Sequence, residues 1–301
     1  MKQFLEVDDL DPAGLTRILD HAIAWKADRG SLPPALDGQA VAALFEKPSA
    51  RTRVSVEVAV ATLGGHPIYV RGEEVQLDVR ETVEDVARTM AGMCSVIAAR
   101  VFDHETLRRM VAAVDVPVVN LLSDLAHPCQ ALADLLTIRE HFGDLAGRRV
   151  AYVGDGNNVA ASLAFAAALS GLELVLAAPE GYQLDGQVVD RARNLGAVIE
   201  LTSDLYDAVR DVDVVYTDVW TSMGQEDEQA VRRRAFDGWT VNGSVMEAAP
   251  DDAVFMHCLP AHRGEEVSAE VIESKQSLVW QQAANRMDSV RALLVEMLGD
   301  C

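Results

Sequence analysis

Twice along this chain, short apolar runs of the kind that form buried strands alternate with longer stretches whose apolar residues recur at helical spacing. In the first half the strand-like runs fall at residues 41–45, 68–70, 96–101 and 116–122, with helices expected at about 51–63, 82–92 and 104–113. A helical start over roughly Asp11 to Asp28 precedes them, followed by a loop with Gly30 and Pro33-Pro34. A second series opens at 150–153 and continues through 172–177, 198–201, 212–216 and 254–256. Strands joined by helical crossovers run parallel, because a connection long enough to hold a helix returns the chain to the same end of the sheet. The expected fold is therefore α/β: two doubly wound parallel-sheet domains.

The passage Gly143-Asp-Leu-Ala-Gly147 reads as the boundary, giving domains 1–142 and 143–278. A last helix is expected over 279–298, with Val290, Leu293, Leu294 and Met297 needing a surface to cover them, which a return to the first domain supplies.

Composition removes several classes of function. No apolar run approaches ~20 residues and the N-terminus lacks a basic stretch followed by an apolar one, so neither a membrane span nor a secretory leader is expected. Cys94, Cys129, Cys258 and Cys301 show no paired spacing, which argues against a disulfide framework and a structural zinc site and fits a cytoplasmic protein. A formal charge of −21 repels nucleic acid and anionic membranes. It also repels an anionic substrate, so any site for one must be a local arginine pocket. Only Lys2, Lys26, Lys47 and Lys275 supply lysine. Such an acidic, lysine-poor surface suits a salt-rich cytoplasm, where about 1 M salt screens charges beyond roughly 3 Å.

The polar clusters fall where parallel strands deliver their carboxyl ends, the edge at which such sheets bind ligands. Ser49-Ala50-Arg51-Thr52-Arg53 sits at a strand-to-helix turn, with apolar Val54, Val58 and Ala61 following at helical spacing. Two hydroxyls and two guanidinium groups at a helix N-terminus make a place for a phosphate; a serine cap with solvated arginines is the plainer account. Arg100 ends a strand. His127-Pro128-Cys129-Gln130 opens a helix, Pro128 at its first position, so that His127 and Gln130 either face a cavity or serve as ordinary caps.

In the second half Gly154-Asp-Gly-Asn-Asn158 resembles a dinucleotide loop, but Val159 breaks the Gly-x-Gly-x-x-Gly pattern. Asp218, with Ser222-Met223-Gly224 after it, offers a carboxylate for an ammonium group, or is an acidic surface loop. In His257-Cys258-Leu259-Pro260 the thiol is a nucleophile, a ligand through its sulfur, or a small buried residue; a cis Leu259-Pro260 bond would aim the Leu259 carbonyl inward. Asn285-Arg286, taken alone, points to nothing.

Taken together and in this order, Ser49-x-Arg51-Thr52-Arg53, His127-Pro-Cys-Gln130, Asp218-x-x-x-Ser222-Met223-Gly224 and His257-Cys258-Leu259-Pro260 resemble the aspartate/ornithine carbamoyltransferase family over nearly the whole chain. The resemblance implies that Ser49, Ala50, Arg51, Thr52, Arg100, His127, Pro128, Cys129, Gln130 and Arg286 bind carbamoyl phosphate. Asn158, Asp218, Ser222 and Met223 would hold ornithine, with Cys258 and Leu259 between the two ligands. Arg51, Thr52, Arg100, His127 and Cys258 would carry the catalysis, without metal or organic cofactor. Gln76 would reach the site of a neighbouring subunit in a homotrimer.

Two positions depart from the family pattern: Ala50 stands where Ser or Thr is usual, and the loop Leu77-Asp-Val-Arg80-Glu81 lacks the usual glycines. Asp218 favours a diamino acid over aspartate by charge, and the reaction implied is transfer of the carbamoyl group to the δ-amine of ornithine, giving citrulline. Three rivals stand beside it: a transferase for putrescine or an acylated ornithine, a nicotinamide-dependent oxidoreductase, and a non-catalytic subunit that binds carbamoyl phosphate.

Overall fold

The computed structural model describes residues 1–221 and 226–299. The first series runs β1 (Gln3–Phe4), α1 (Pro12–Ala27), β2 (Ala40–Phe45), α2 (Ala50–Thr62), β3 (His66–Arg71), α3 (Gly72–Val75), α4 (Val83–Ala91), β4 (Val96–Arg100), α5 (His104–Ala113), β5 (Val118–Leu122) and α6 (Pro128–Phe142). The second runs β6 (Arg149–Val153), α7 (Asn158–Ser170), β7 (Glu173–Ala177), α8 (Gly186–Asn194), β8 (Val198–Thr202), α9 (Leu205–Val209), β9 (Val214–Thr217), α10 (Gln229–Ala235), α11 (Gly243–Ala248), β10 (Val254–His257), α12 (Ala269–Ile272) and α13 (Val279–Leu298).

Each series builds one five-stranded sheet, in the orders β1-β5-β4-β2-β3 and β10-β9-β6-β7-β8, with every pairing parallel. Helices cover the sheet faces, so the central strands are buried on both sides and read as unbroken apolar runs. All five residues of β4, Arg100 included, are buried. In each sheet the strand order reverses once, between β2 and β4 and between β6 and β9, and the loops leaving those strands part to open a crevice. Register fixes what stands there: Phe45 pairs with Arg100, and Val153 with Thr217.

Two expectations need correction. The chain begins with a strand ahead of the first helix, Gln3 pairing with Val118 and Phe4 with Val119, and two residues are too short for any periodicity to reveal. On α2 the helix lies where expected, but Val54 and Val58, whose spacing marks it, are not on its buried side. The buried side is Thr52, Ser55, Val56, Ala59 and Val60, while Val54 and Val58 are exposed. With apolar residues all round the helix, their spacing carries no information about which side faces inward.

Contacts divide the chain into two units, Met1–Leu136 with the stretch from Ala284 onward, and Thr137–Ala283. The division falls inside α6 and α13, because each is one uninterrupted helix belonging to both units. The last turns of α13 are fastened to the start of the chain. Lys26 Nζ donates to Asn285 Oδ1 at 2.6 Å, Arg17 Nη2 to Glu296 Oε1 at 2.6 Å, and the N-terminal ammonium to the Met297 carbonyl at 3.0 Å. No helix among the described residues is long and apolar enough to cross a membrane.

Candidate active site

In the first unit the site grows from the N-terminus of α2. Ser49 caps the helix in an extended conformation, its Oγ accepting the Thr52 N–H at 3.3 Å. Ala50 is the exposed first helical residue, so it contributes backbone only. Thr52 Oγ1 is where the cluster converges: Ser49 Oγ lies at 3.1 Å, Arg100 Nη1 at 3.4 Å and Arg286 Nη2 at 3.2 Å. Both arginines are buried, 5% and 4% exposed, and buried guanidinium groups at a helix N-terminus make a strong local positive field. Arg53 turns elsewhere, pairing with Glu57 at 2.8 Å and lying over the Tyr69 ring.

The β5–α6 turn delivers the next members. The His127 carbonyl accepts the N–H of Gln130 at 3.0 Å and of Ala131 at 3.3 Å, as the first bonds of α6. Gln130 is held between Arg286 Nη1, which donates to its Oε1 at 2.6 Å, and Asp134, which accepts from its Nε2 at 2.9 Å. Burial pushes the His127 imidazole well below its ordinary pKa, and Arg286, Arg100 and Arg51 push it further the same way. His127 is therefore a neutral ring. Cys129 faces away: its thiol lies 3.3 Å from the Asn120 carbonyl, and burial pushes it up to about 12. Only its backbone is available to a ligand.

Gln76 stands exposed as the left-handed C-cap of α3, with φ of 48°. Asp78 is also left-handed, φ 56°, so the loop takes without glycine a shape that glycines adopt more readily. Arg109 compensates. It reaches Asp78 Oδ1 at 3.0 Å and Glu84 Oε1 and Oε2 at 2.7 and 2.8 Å, fastening the loop to α5.

In the second unit the loops after β6, β9 and β10 meet at Asp218. Asn157 Nδ2 donates to Asp218 Oδ2 at 2.9 Å and the Cys258 thiol to Oδ1 at 2.9 Å. Asn157 serves twice, since its Oδ1 caps α7 by accepting from Val159 and Ala160 and also takes the Tyr152 hydroxyl at 3.1 Å. Asn158 follows as the half-buried first residue of α7. Leu259-Pro260 is cis and Leu259 has φ of 60°. Its N–H donates to His257 Nδ1 at 2.9 Å, and His257 Nε2 lies 3.1 Å from buried Glu266. Ser222 and Met223 lie outside the described residues.

Asp218, His257 and Cys258 bring possible metal ligands within 4.8 Å of one another. Both ring nitrogens of His257 are already engaged, by Leu259 and Glu266, which leaves a carboxylate and a thiol, fewer than a zinc site takes. A dinucleotide is excluded more directly. A Cβ on Gly156 would lie 2.2 Å from Leu184 N, and Gly156 N–H donates to the Tyr182 carbonyl at 2.8 Å, so the chain at 182–184 fills the ground over the glycine turn.

The residues matched by family models follow the same division. Residues 2–140 match the carbamoyl-P binding domain, and residues 146–297 the Asp/Orn binding domain, of aspartate/ornithine carbamoyltransferase. The chain belongs to this family. Among carbamoyltransferases it is 49% identical over 302 residues to ornithine carbamoyltransferase of Acidothermus cellulolyticus, covering 99% of this chain and 97% of that one. It is 46% identical to the ornithine carbamoyltransferase of Haloquadratum walsbyi over 99% and 98% of the two chains. The solved ornithine carbamoyltransferase of Pyrococcus furiosus superposes with a TM-score of 0.93 at 45% identity, covering 97% of this chain and 96% of that chain.

In this carbamoyltransferase the sequence gives no sign of Arg232. Its guanidinium is buried; Nη1 lies 3.0 Å from Asp155 Oδ2 in the β6–α7 loop and 3.0 Å from the Trp220 carbonyl after β9, and Nε donates to Glu228 at 2.9 Å. One side chain thus ties together the two loops that frame Asp218. Nothing in the run Arg232-Arg233-Arg234 singles out the first as the one that bridges loops; only the fold does. Arg232→Met is expected to weaken the second half-site, raising KM for the amino-acid substrate by about tenfold to hundredfold while leaving carbamoyl phosphate binding unchanged. Steady-state kinetics in each substrate checks this.

Proposed function

We propose that this chain transfers the carbamoyl group of carbamoyl phosphate to the δ-amine of L-ornithine, giving L-citrulline and phosphate. The observation that carries the proposal is the convergence of Ser49, Arg100 and Arg286 on the Thr52 hydroxyl at the α2 N-terminus, beside the neutral ring of His127. The family and the ornithine carbamoyltransferase relatives support the choice of substrates.

The phosphate dianion is taken by the free N–H groups at the start of α2, Ala50 among them, together with Ser49, Arg51 and Arg286, and by the backbone N–H of Cys129, with the Pro128 ring fixing the first turn of α6. The carbonyl oxygen faces Thr52, Arg100 and His127. Gln130 completes the carbamoyl phosphate half-site, its Oε1 turned to Arg286. Asp218 and Asn158, with Ser222 and Met223, hold ornithine's α-ammonium and carboxylate. Cys258 acts as an orienting group, since its hydrogen is committed to Asp218.

The uncharged δ-amine attacks the carbonyl carbon, a C–N bond forms, and charge moves onto the oxygen. Donors aimed at that oxyanion lower the barrier most, because they are ordered before the charge appears. Collapse breaks the C–O bond to phosphate. In net terms the attacking nitrogen loses one proton and the departing phosphate gains one.

Copies of the chain associate as a homotrimer in this reading, with Gln76 reaching a neighbour's site. The exposed Val54 and Val58 of α2 and Ile68 of the edge strand β3 offer the apolar surface for it. The compartment proposed is the cytoplasm.

The acidic surface further supports adaptation to high salt. Citrulline formation is expected to rise, and KM for carbamoyl phosphate to fall, as KCl is brought to molar concentration; equal constants at low and molar salt would count against it. Substrate choice is tested by following citrulline-type ureido product with ornithine, putrescine, N-acetylornithine and aspartate as acceptors. Ornithine is expected to give the highest kcat/KM. Preference for an acceptor lacking the free α-ammonium would overturn the assignment of Asp218.

A further inference from the structure

Beneath the turn that ends at His127 lies a polar cluster that the reaction above does not use: Glu6, His104, Asn120 and Ser123. The last three are buried. His104 opens α5, and both its ends grip the β5–α6 turn. Its backbone N–H donates to Asp124 Oδ1 at 2.8 Å, and its ring Nδ1 lies 2.8 Å from Ser123 Oγ. Ser123 in turn shapes the turn itself, its Oγ accepting from the Ala126 N–H at 3.3 Å and from Asn120 Nδ2 at 3.2 Å. The Ser123 N–H closes it by donating to the Ala126 carbonyl at 2.9 Å. His127 is the next residue.

Counting hydrogens assigns the state of the His104 ring. Ser123 Oγ already receives two N–H groups, so its own hydrogen must go to an acceptor. His104 Nδ1 at 2.8 Å is closer than the Ala126 carbonyl at 3.5 Å. Nδ1 is therefore bare, and the ring hydrogen lies on Nε2, on the side of Glu6 Oε1 at 3.8 Å. Burial favours the same neutral form, lowering the pKa against the pull of Glu6, Asp124 and Asp9 and with the push of Arg108.

We propose that His104 is a positioning residue for His127: its bare Nδ1 takes the Ser123 hydroxyl hydrogen and so sets the Ser123–Ala126 turn from which the His127 ring is aimed. The inference rests on the role given to His127 under the proposed function. Its chemistry is local, however, and can be read without turnover.

Two variants test it. His104→Leu fills the space without an acceptor, and His104→Asn returns an acceptor oxygen close to the place of Nδ1. At a temperature where both are folded by circular dichroism, His104→Leu is expected to lose about tenfold to hundredfold in kcat with KM for ornithine unchanged, as a small misplacement of a reacting group costs. His104→Asn recovers most of that loss. In parallel, ring-nitrogen NMR of protein labelled with 15N-histidine should show His104 with its hydrogen on Nε2, and the His127 signals displaced in the leucine variant and restored in the asparagine one. This second reading holds whether or not the wild type makes citrulline, so failure of the proposed reaction and failure of the positioning role are told apart. A hydrogen on Nδ1 of His104, or a folded His104→Leu protein with unmoved His127 signals, would overturn the inference.

Discussion

Arg51→Ala is expected to lower kcat/KM for carbamoyl phosphate by about a thousandfold, close to 4 kcal/mol of transition-state stabilisation, while the unfolding transition stays where it was. Arg51 is exposed in the first turn of α2, so its removal leaves no buried partner stranded. Its charge nonetheless bears on the site: burial lowers the His127 pKa most, and Arg51 adds to that push after Arg286 and Arg100. Truncation withdraws a cation from the place where phosphate binds and, unlike truncation of Arg100 or Arg286, does not empty a packed interior. Steady-state kinetics in carbamoyl phosphate, with thermal unfolding of the same sample, checks both halves of the expectation. Activity within a factor of about three of wild type would take Arg51 out of the mechanism.

Asp218→Asn is expected to raise KM for ornithine by at least about a hundredfold, because an ammonium group loses the buried carboxylate that faces it. Affinity for carbamoyl phosphate, measured by calorimetry without ornithine, should not change. Stability should hold or rise. Asp218 is buried with an amide and a thiol as its partners, and replacing a buried charge by a neutral isostere removes a desolvation cost. A variant with normal ornithine KM and depressed kcat would mean that Asp218 acts on the reacting nitrogen instead of on the α-ammonium.

Much of the fold can be read from the chain because parallel strands buried on both faces leave uninterrupted apolar runs, and because α13 carries a long helical pattern over the residues it occupies. What cannot be read locally is whatever pairing register or distant packing decides. β1 is two residues long and exists only because β5 accepts it. Which face of α2 turns inward is decided by the sheet it lies on, since both faces are apolar.

The site divides the same way. Ser49, Thr52, His127 and Gln130 stand in short motifs at helix starts, where capping chemistry limits what the residues can be. Arg286 shows no such sign: it reaches Thr52 across 234 residues, and only the return of α13 to the first unit brings it there. Asn157 both caps α7 and donates to Asp218, and a helix-cap position gives no sign in the sequence of that second partner. Arg232 and His104 act through loops, and their partners are remote in sequence. The loop at Gln76 keeps its left-handed turns without glycine because Arg109, on another helix, holds Asp78 and Glu84 in place.

The central claim is that the N-terminus of α2, with Thr52, Arg100, His127, Gln130 and Arg286, grips the phosphate and carbonyl of carbamoyl phosphate. A crystal structure of the protein with a stable phosphonate analogue of carbamoyl phosphate tests it most directly. Phosphonate oxygens are expected on the backbone N–H groups of residues 50 and 51, and the carbonyl oxygen within hydrogen-bond reach of Thr52, Arg100 and His127. An analogue bound elsewhere, with that helix end empty, would contradict it.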